Sequence, residues 1–454
     1  MTISNNFFFR RGARLLRLAS VLILAGCALW LALRVPVIHA RTGAPVTPPP
    51  HLRGRGTVEH LKREGLYDTL TEAINPLFVQ ETKLTASNGA AFHNFGKSVA
   101  ISGNTVVVGS SGGGPNGTQG AAYVFARNGT SWYQQAILTA SDGADGAGFG
   151  ASVAIDGNTA VVGAPGALGP NGNQGAAYVF ARNGTTWTQQ QKLTVSDGVS
   201  DGFDDYFGGS VAVSGDTVVA GASQVSLDNL VQGAAYVFVR SGTTWALQQK
   251  LATSGDATVI YYGLSVAISE STVAVMAYCY DWSEGGLVCP DSVYVYTRSG
   301  TTWILQQKLT TSESYGSIAL SGNTLAVVEP YAYVGGGGPY AQLGAIYVFA
   351  RSGTAWTLQQ KLTASDAGST YTFGYSVAIS GNTLAVGVYQ GSVYVYARSG
   401  TAWTLQQRLT DSDPARDDEC GYSVAISEGT VVAGAPYARI GANQSQGAAY
   451  VFAP

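Results

Sequence analysis

The sequence predicts an all-β fold: a seven-bladed β-propeller of four-stranded blades, closed by an N-terminal strand and preceded by a short helix. Three observations predict it. The chain contains seven imperfect repeats of about one blade's length, its composition suits many short strands, and its repeat frame is displaced by one strand between the two ends.

The repeats come first. Leu-Thr-Ala-Ser or a relative of it begins at Leu84, Leu138, Leu193, Leu251, Leu309, Leu362 and Leu409, 47 to 58 residues apart. That is the length of one four-stranded blade. Within each repeat the pieces keep one order. Ser-Val-Ala-Ile-Ser, as at Ser98–Ser102 and Ser376–Ser380, is followed by a Gly-Asn turn and a second strand such as Thr105–Gly109 or Thr383–Gly387. A variable loop leads to Ala-Ala-Tyr-Val-Phe-Ala-Arg, as at Ala121–Arg127 and Ala176–Arg182. An Asn/Ser-Gly-Thr turn then opens a fourth strand, typified by Trp356–Thr363. Val and Ile alternate with Ser and Ala in the first strand, which gives a bulky face and a small face. Adjacent blades can therefore mate bulky against small. The Gly-Asn turns supply the positive φ that a tight hairpin needs.

Composition agrees. Of 454 residues, 59 are glycine and 25 tyrosine, with 46% hydrophobic and only 12% charged. A chain this apolar is not disordered, and one this rich in glycine is not a helical bundle. The net charge is −3, and no Lys/Arg cluster follows residue 64, so a nucleic-acid partner is not expected.

The frame shift predicts closure. The last repeat ends at Pro454 after its third strand. Its missing fourth strand stands at the other end of the repeats, where Phe78–Thr85 (Phe-Val-Gln-Glu-Thr-Lys-Leu-Thr) aligns with Trp356–Thr363 (Trp-Thr-Leu-Gln-Gln-Lys-Leu-Thr). Phe78 takes the tryptophan position. Such a strand joins the two ends of a ring and removes an exposed sheet edge.

Ahead of the propeller (77–454), residues 1–40 read as a signal peptide or membrane anchor. Arg10, Arg11, Arg14 and Arg17 precede an apolar run from Leu18 to Leu33, the pattern of an export signal. Three outcomes stay open: lipidation at Cys27 within Leu24-Ala25-Gly26-Cys27, cleavage after Ala40, or an uncleaved anchor. Each places the propeller outside the cytoplasm, secreted or attached to the membrane's outer face. Residues 41–56 are a Pro-rich linker, with Pro45, Pro48, Pro49 and Pro50. Residues 57–75 read as an amphipathic helix carrying Val58, Leu61, Leu66, Leu70 and Ile74, stopped by Pro76. In an oxidising compartment Cys279 and Cys289, ten residues apart, are expected to clip one loop as a disulfide.

These repeats resemble the FG-GAP family, best known from the N-terminal propeller of integrin α chains and found also in exported bacterial proteins. Phe95-Gly96, Phe149-Gly150, Phe207-Gly208 and Phe373-Gly374 stand at the Phe-Gly position, with Tyr262-Gly263 and Tyr315-Gly316 as variants. Gly163-Ala164-Pro165 and Gly434-Ala435-Pro436 are intact at the second position. Cys420 occupies the Phe position ahead of Gly421, which makes it a small buried apolar residue. The resemblance implies the propeller and, for many relatives, calcium loops between first and second strands. Here that loop has shrunk to turns such as Ser102-Gly-Asn-Thr105 and Asp156-Gly-Asn-Thr159. A turn of this size cannot supply the six to eight oxygens of a Ca²⁺ site, so no metal or other cofactor is expected. Asp142, Asp145, Asp197, Asp201, Asp204 and Asp205, in loops leading into blades, match no calcium spacing and read as turn residues.

Catalysis is not expected. The chain has four histidines, His39, His51, His60 and His93, and only His93 lies within the repeats, without a nucleophile motif around it. Gly112–Gly114 and Gly335–Gly338 lack the Lys-Ser/Thr of a phosphate loop. Binding is better supported. Loops leading into each blade and loops between second and third strands should share one face. They carry Tyr278, Tyr280, Trp282, Tyr331, Tyr333, Tyr340, Tyr389 and Tyr437. Aromatics on loops suit contacts with sugar rings or protein partners; equally, they can pack between blades. The regular Trp132, Trp187, Trp245, Trp303, Trp356 and Trp403 are structural anchors of the outer strand. The sequence thus points to an exported binding or adhesion module for protein or glycan. The alternative is an envelope scaffold without a defined ligand, and a distant third is an enzyme with a site in the propeller channel.

Overall fold

A computed structural model describes residues 77–454, apart from 115–116, 171, 197–204, 228–229, 254–258, 280–290, 311–315, 331–343, 365–372, 389–390 and 413–417. The signal or anchor, the linker and the amphipathic helix expected before residue 77 lie outside the described residues, as does Cys27. Among the described residues there is no helix.

The chain forms seven antiparallel blades. The first is typical: Phe95–Ser102 is innermost, then Thr105–Ser110, Ala121–Asn128 and Ser131–Leu138 in sequence order. The seventh closes the ring. Ser423–Ser427, Thr430–Ala435 and Ala448–Ala453 are completed by the N-terminal strand Val79–Leu84, which pairs antiparallel with Ala448–Ala453. Blade four carries an extra pair, Val259–Ile260, against Tyr278 and Cys279.

The core is not central but divided among seven seams between blades, each with its own apolar cluster. At the first seam Ala100, Val107, Ala122 and Val124 meet Val153, Ile155, Val162, Tyr178 and Phe180 of the second blade. Small faces bulky, as the alternation predicts. The closing seam is built alike, with Val99, Ile101, Val106 and Tyr123 against Ala425, Val432, Ala449 and Val451. Each fully buried large apolar side chain contributes about 1.5–3 kcal/mol, so these clusters outweigh any single hydrogen bond between blades.

Hydrogen bonds set the register instead, in two rings. At the perimeter the indole Nε1–H of Trp245 donates to Gln190 Oε1 of the preceding blade at 2.7 Å, and Trp187, Trp303, Trp356 and Trp403 repeat the contact with Gln135, Gln248, Gln306 and Gln359. The next glutamine brackets the tryptophan's backbone: Gln191 Oε1 accepts from the Trp245 N–H and its Nε2 donates to the Trp245 carbonyl. Around the channel, the hydroxyls of Ser98, Ser152, Ser210, Ser376 and Ser423 donate to the carbonyls of Gly150, Gly208, Gly263, Gly421 and Gly96 in the following blade. A glycine in the second strand makes that approach feasible. A Cβ on Gly163 would sit 1.9 Å from the Gly208 oxygen.

Candidate functional site

The loop face is assembled as expected. The loop leading into blade one bonds to the loop between second and third strands of blade seven, through Phe92 N–H to Gln444 O and Asn94 N–H to Ser445 O. At its centre is the mouth of the channel, and one residue per blade decides what the mouth presents.

That residue follows the Phe-Gly pair. In blades one, three and six the inner strand slips register between Phe95 and Ser98, Phe207 and Ser210, and Phe373 and Ser376. The glycine adopts positive φ, 94° at Gly96, and the next residue is left out of the ladder. Such a bulge re-aims a side chain, here over the mouth. The residues at this position are Lys97, Ala151, Gly209, Leu264, Tyr375 and Tyr422 in blades one to four, six and seven. Blade five lacks it, because Tyr315-Gly316 runs directly into Ser317.

The mouth is therefore lopsided. It forms an open depression of about 290 Å³ bordered by Lys97, Tyr375 and Tyr422 on one side and by Ala151 and Gly209 on another. Lys97 Nζ lies 4.5 Å from the Tyr422 ring centroid and donates to the Tyr422 hydroxyl. The Tyr375 and Tyr422 rings are 4.9 Å apart at 53°, and Tyr437 meets Tyr422 edge-on at 6.0 Å. Burial pushes the Tyr375 phenol above the usual tyrosine range; its hydrogen bond to Tyr422 and the charge of Glu419 add to this, and Lys97 opposes it. The phenol stays protonated and able to donate throughout the physiological range.

Of the eight aromatics expected from sequence, two are described. Tyr437 is 38% exposed and joins the cluster just described. Tyr278 is 5% exposed, at the end of strand Thr272–Cys279, with its ring stacked on Tyr261 at 6.3 Å; its ring packs inside the fold. Tyr280, Trp282, Tyr331, Tyr333, Tyr340 and Tyr389 lie outside the described residues, as does Cys289, the expected partner of Cys279. Cys420 is fully buried in the sixth seam beside Val424 and Tyr450.

Of the acidic loop residues, Asp142 is tied into the fold. Asp142 accepts from the Tyr178 hydroxyl at 2.9 Å and from Lys192 Nζ at 2.6 Å. Among the described residues no group of three or more His, Cys, Asp or Glu is placed to hold a metal ion. His93 accepts from the Ala90 N–H through Nδ1, and burial holds its imidazole below the usual value. Lys97, Tyr375 and Tyr422 were not singled out by sequence reasoning. Their signal was there: one freely varying position inside a recurring motif of Phe, Tyr or Cys followed by Gly-x-Ser.

Comparison with known proteins gives a family and a fold. The FG-GAP repeat profile matches residues 78–125, 132–180, 187–238, 356–401 and 403–452. No curated protein matches the chain. Among solved structures, Sqt1 from Saccharomyces cerevisiae is similar at 11% identity and a TM-score of 0.44, over 83% of this chain and 99% of its own. The computationally designed protein Ika8 is similar at 14% identity and a TM-score of 0.44, with the same coverage of each chain.

Proposed function

The chain belongs to the FG-GAP repeat family, and from that membership we propose an exported binding or adhesion module that recognises a protein or glycan through the loop face of its propeller. The observation that carries this reading is the lopsided mouth. Seam residues mostly repeat from blade to blade, as do the tryptophan of six outer strands and the inner-strand serine, whereas the bulge position varies from glycine to lysine to tyrosine. A variable position that faces open space, set among repeating seam residues, is what a binding surface superimposed on a repeat scaffold looks like. Half-buried tyrosines add a large contact area with little rotamer entropy to lose. The reading is non-catalytic, and the export pattern at residues 10–33 supports a face that works outside the cytoplasm.

The test is a screen of the full chain against glycans and cell-surface proteins, beside a variant carrying Tyr280→Ala, Trp282→Ala, Tyr333→Ala and Tyr437→Ala. Binding that disappears in a variant of unchanged circular dichroism supports recognition through the loop face. Binding by neither protein favours a scaffold without a ligand.

A further inference from the structure

Resting on the loop-face reading and sharpening it, we infer that the channel mouth is a pocket for a carboxylate-bearing sugar, held by Lys97, Tyr375 and Tyr422. Three features lead there. The first is an ammonium at the mouth that pairs with no carboxylate among the described residues. Its partners are the hydroxyl and ring of Tyr422, which orient it without neutralising it. An ammonium has three donors, so capacity remains for an anionic oxygen.

The second feature is the pair of phenol rings 4.9 Å apart beside that cation. Ring faces accept the C–H surfaces of a pyranose, and phenol hydroxyls can exchange hydrogen bonds with its hydroxyls. The open depression of about 290 Å³ has room for one sugar unit, with space left open over Ala151 and Gly209.

The third feature argues for a sugar over a peptide. A peptide would seek backbone groups to pair with, yet the carbonyls of Gly96, Gly150, Gly208, Gly263 and Gly421 are already taken by serine hydroxyls. What the mouth offers is side chains: one charge, two rings and their hydroxyls. The charge of Glu419, which acts on Tyr375, opposes anions, so a ligand with more than one carboxylate is disfavoured more than one with a single carboxylate.

The experiment uses the full chain and a hyaluronan tetrasaccharide, whose glucuronates carry the carboxylate, against the same oligosaccharide with its carboxyls reduced to alcohols. Calorimetry should show binding of the acidic form and at least about tenfold weaker binding of the reduced form, the size of one lost charge-assisted contact. Lys97→Gln should lower affinity for the acidic form by about the same factor and abolish the discrimination, with Lys97→Arg restoring it. Tyr375→Ala should weaken both forms alike. Equal affinity for the two oligosaccharides, or full binding by a folded Lys97→Gln variant, overturns the inference. A chain that ignores the uronate but binds another partner through the loop face overturns it while leaving the binding reading intact. Tighter binding of a hexaglutamate peptide at Lys97 assigns the pocket to a protein partner and rejects the sugar.

Discussion

The side-chain amide of Gln407 clasps Phe78 from both sides: its Oε1 accepts the Phe78 N–H at 2.8 Å and its Nε2 donates to the Phe78 carbonyl at 2.8 Å. The two residues are 329 positions apart, yet the contact is the one Gln360 makes to Trp403 in neighbouring blades. Closure therefore uses an ordinary seam. Gln407→Leu should destabilise the propeller by about 1–3 kcal/mol, two net hydrogen bonds, and Gln360→Leu should cost the same. Denaturant unfolding of both variants checks this. A much larger effect at Gln407 would mean that closure is special.

Phe78 lacks the indole N–H that every other outer strand provides. Gln406, the glutamine that would accept from it, instead donates to Thr404 Oγ1 at 3.2 Å. Phe78→Trp should restore the missing bond and stabilise the fold by about 1 kcal/mol. Trp356→Phe, which strands Gln306, should cost about 1–3 kcal/mol. A rise in thermal midpoint for the first and a fall for the second is the expected pair.

Much of this was legible beforehand, and for a physical reason. A seam repeated seven times writes its requirements into the sequence seven times, so strand alternation, the tight turns and the displaced frame could all be read. The tryptophans were recognised as anchors, but the glutamine pairs that hold them were not, because a polar pair on an outer strand looks like any solvated edge. The mouth was harder still. Lys97, Tyr375 and Tyr422 lie more than 40 residues apart in sequence, and only the ring brings Lys97 onto Tyr422. Loop length drew attention to Tyr278, which the structure buries.

The glycine of the second strand is there for space. Gly163 does not have positive φ, yet a Cβ would lie 1.9 Å from the Gly208 oxygen and 2.2 Å from Ser152 Oγ. Gly163→Ala should cost about 3 kcal/mol or more, because the obstacle is backbone that cannot move aside. Gly103→Ala is the control: φ there is 52° and the space is open, so only the left-handed penalty of about 1–2 kcal/mol applies. Equal losses in chemical denaturation would refute the close-approach argument.

Asp142 gives a pH dependence with a definite sign. Burial alone would raise its carboxyl, but hydrogen bonds from Lys192 and Tyr178 more than offset this and hold it below the usual value. A carboxyl depressed on folding stabilises the fold above its unfolded pKa of about 3.9, and that stability is lost as pH falls through the folded value. Asp142→Asn should flatten the stability curve below about pH 4 and change its slope little above pH 5. The effect is modest, since the side chain is 48% exposed and screened by water.

The two seams that flank blade five depart from the rest, and their departure predicts where the propeller opens. Met276 and Val328 stand where blades one to three, six and seven have the close-approach glycine. Blade five also lacks the bulge residue, and its inner strand spans only Ile318–Ser321, as short as Val266–Ser269 of blade four. The buried Ser317 hydroxyl finds no hydrogen-bond partner among the described residues, whereas Ser376 Oγ donates to Gly421 O at 2.8 Å. An unmade bond of about 1 kcal/mol corresponds to roughly fivefold faster local opening. Amides of Ile318–Ser321 should therefore exchange hydrogen about fivefold faster than their counterparts in Phe373–Ser380. The serine variants separate cause from coincidence. Ser317→Ala should be neutral or slightly stabilising, because it removes an unsatisfied buried group, while Ser376→Ala should cost about 1 kcal/mol. Equal protection of the two strands, together with equal costs for the two serines, would show that the hydroxyl ring does not govern opening and that the apolar seams alone hold the blades together.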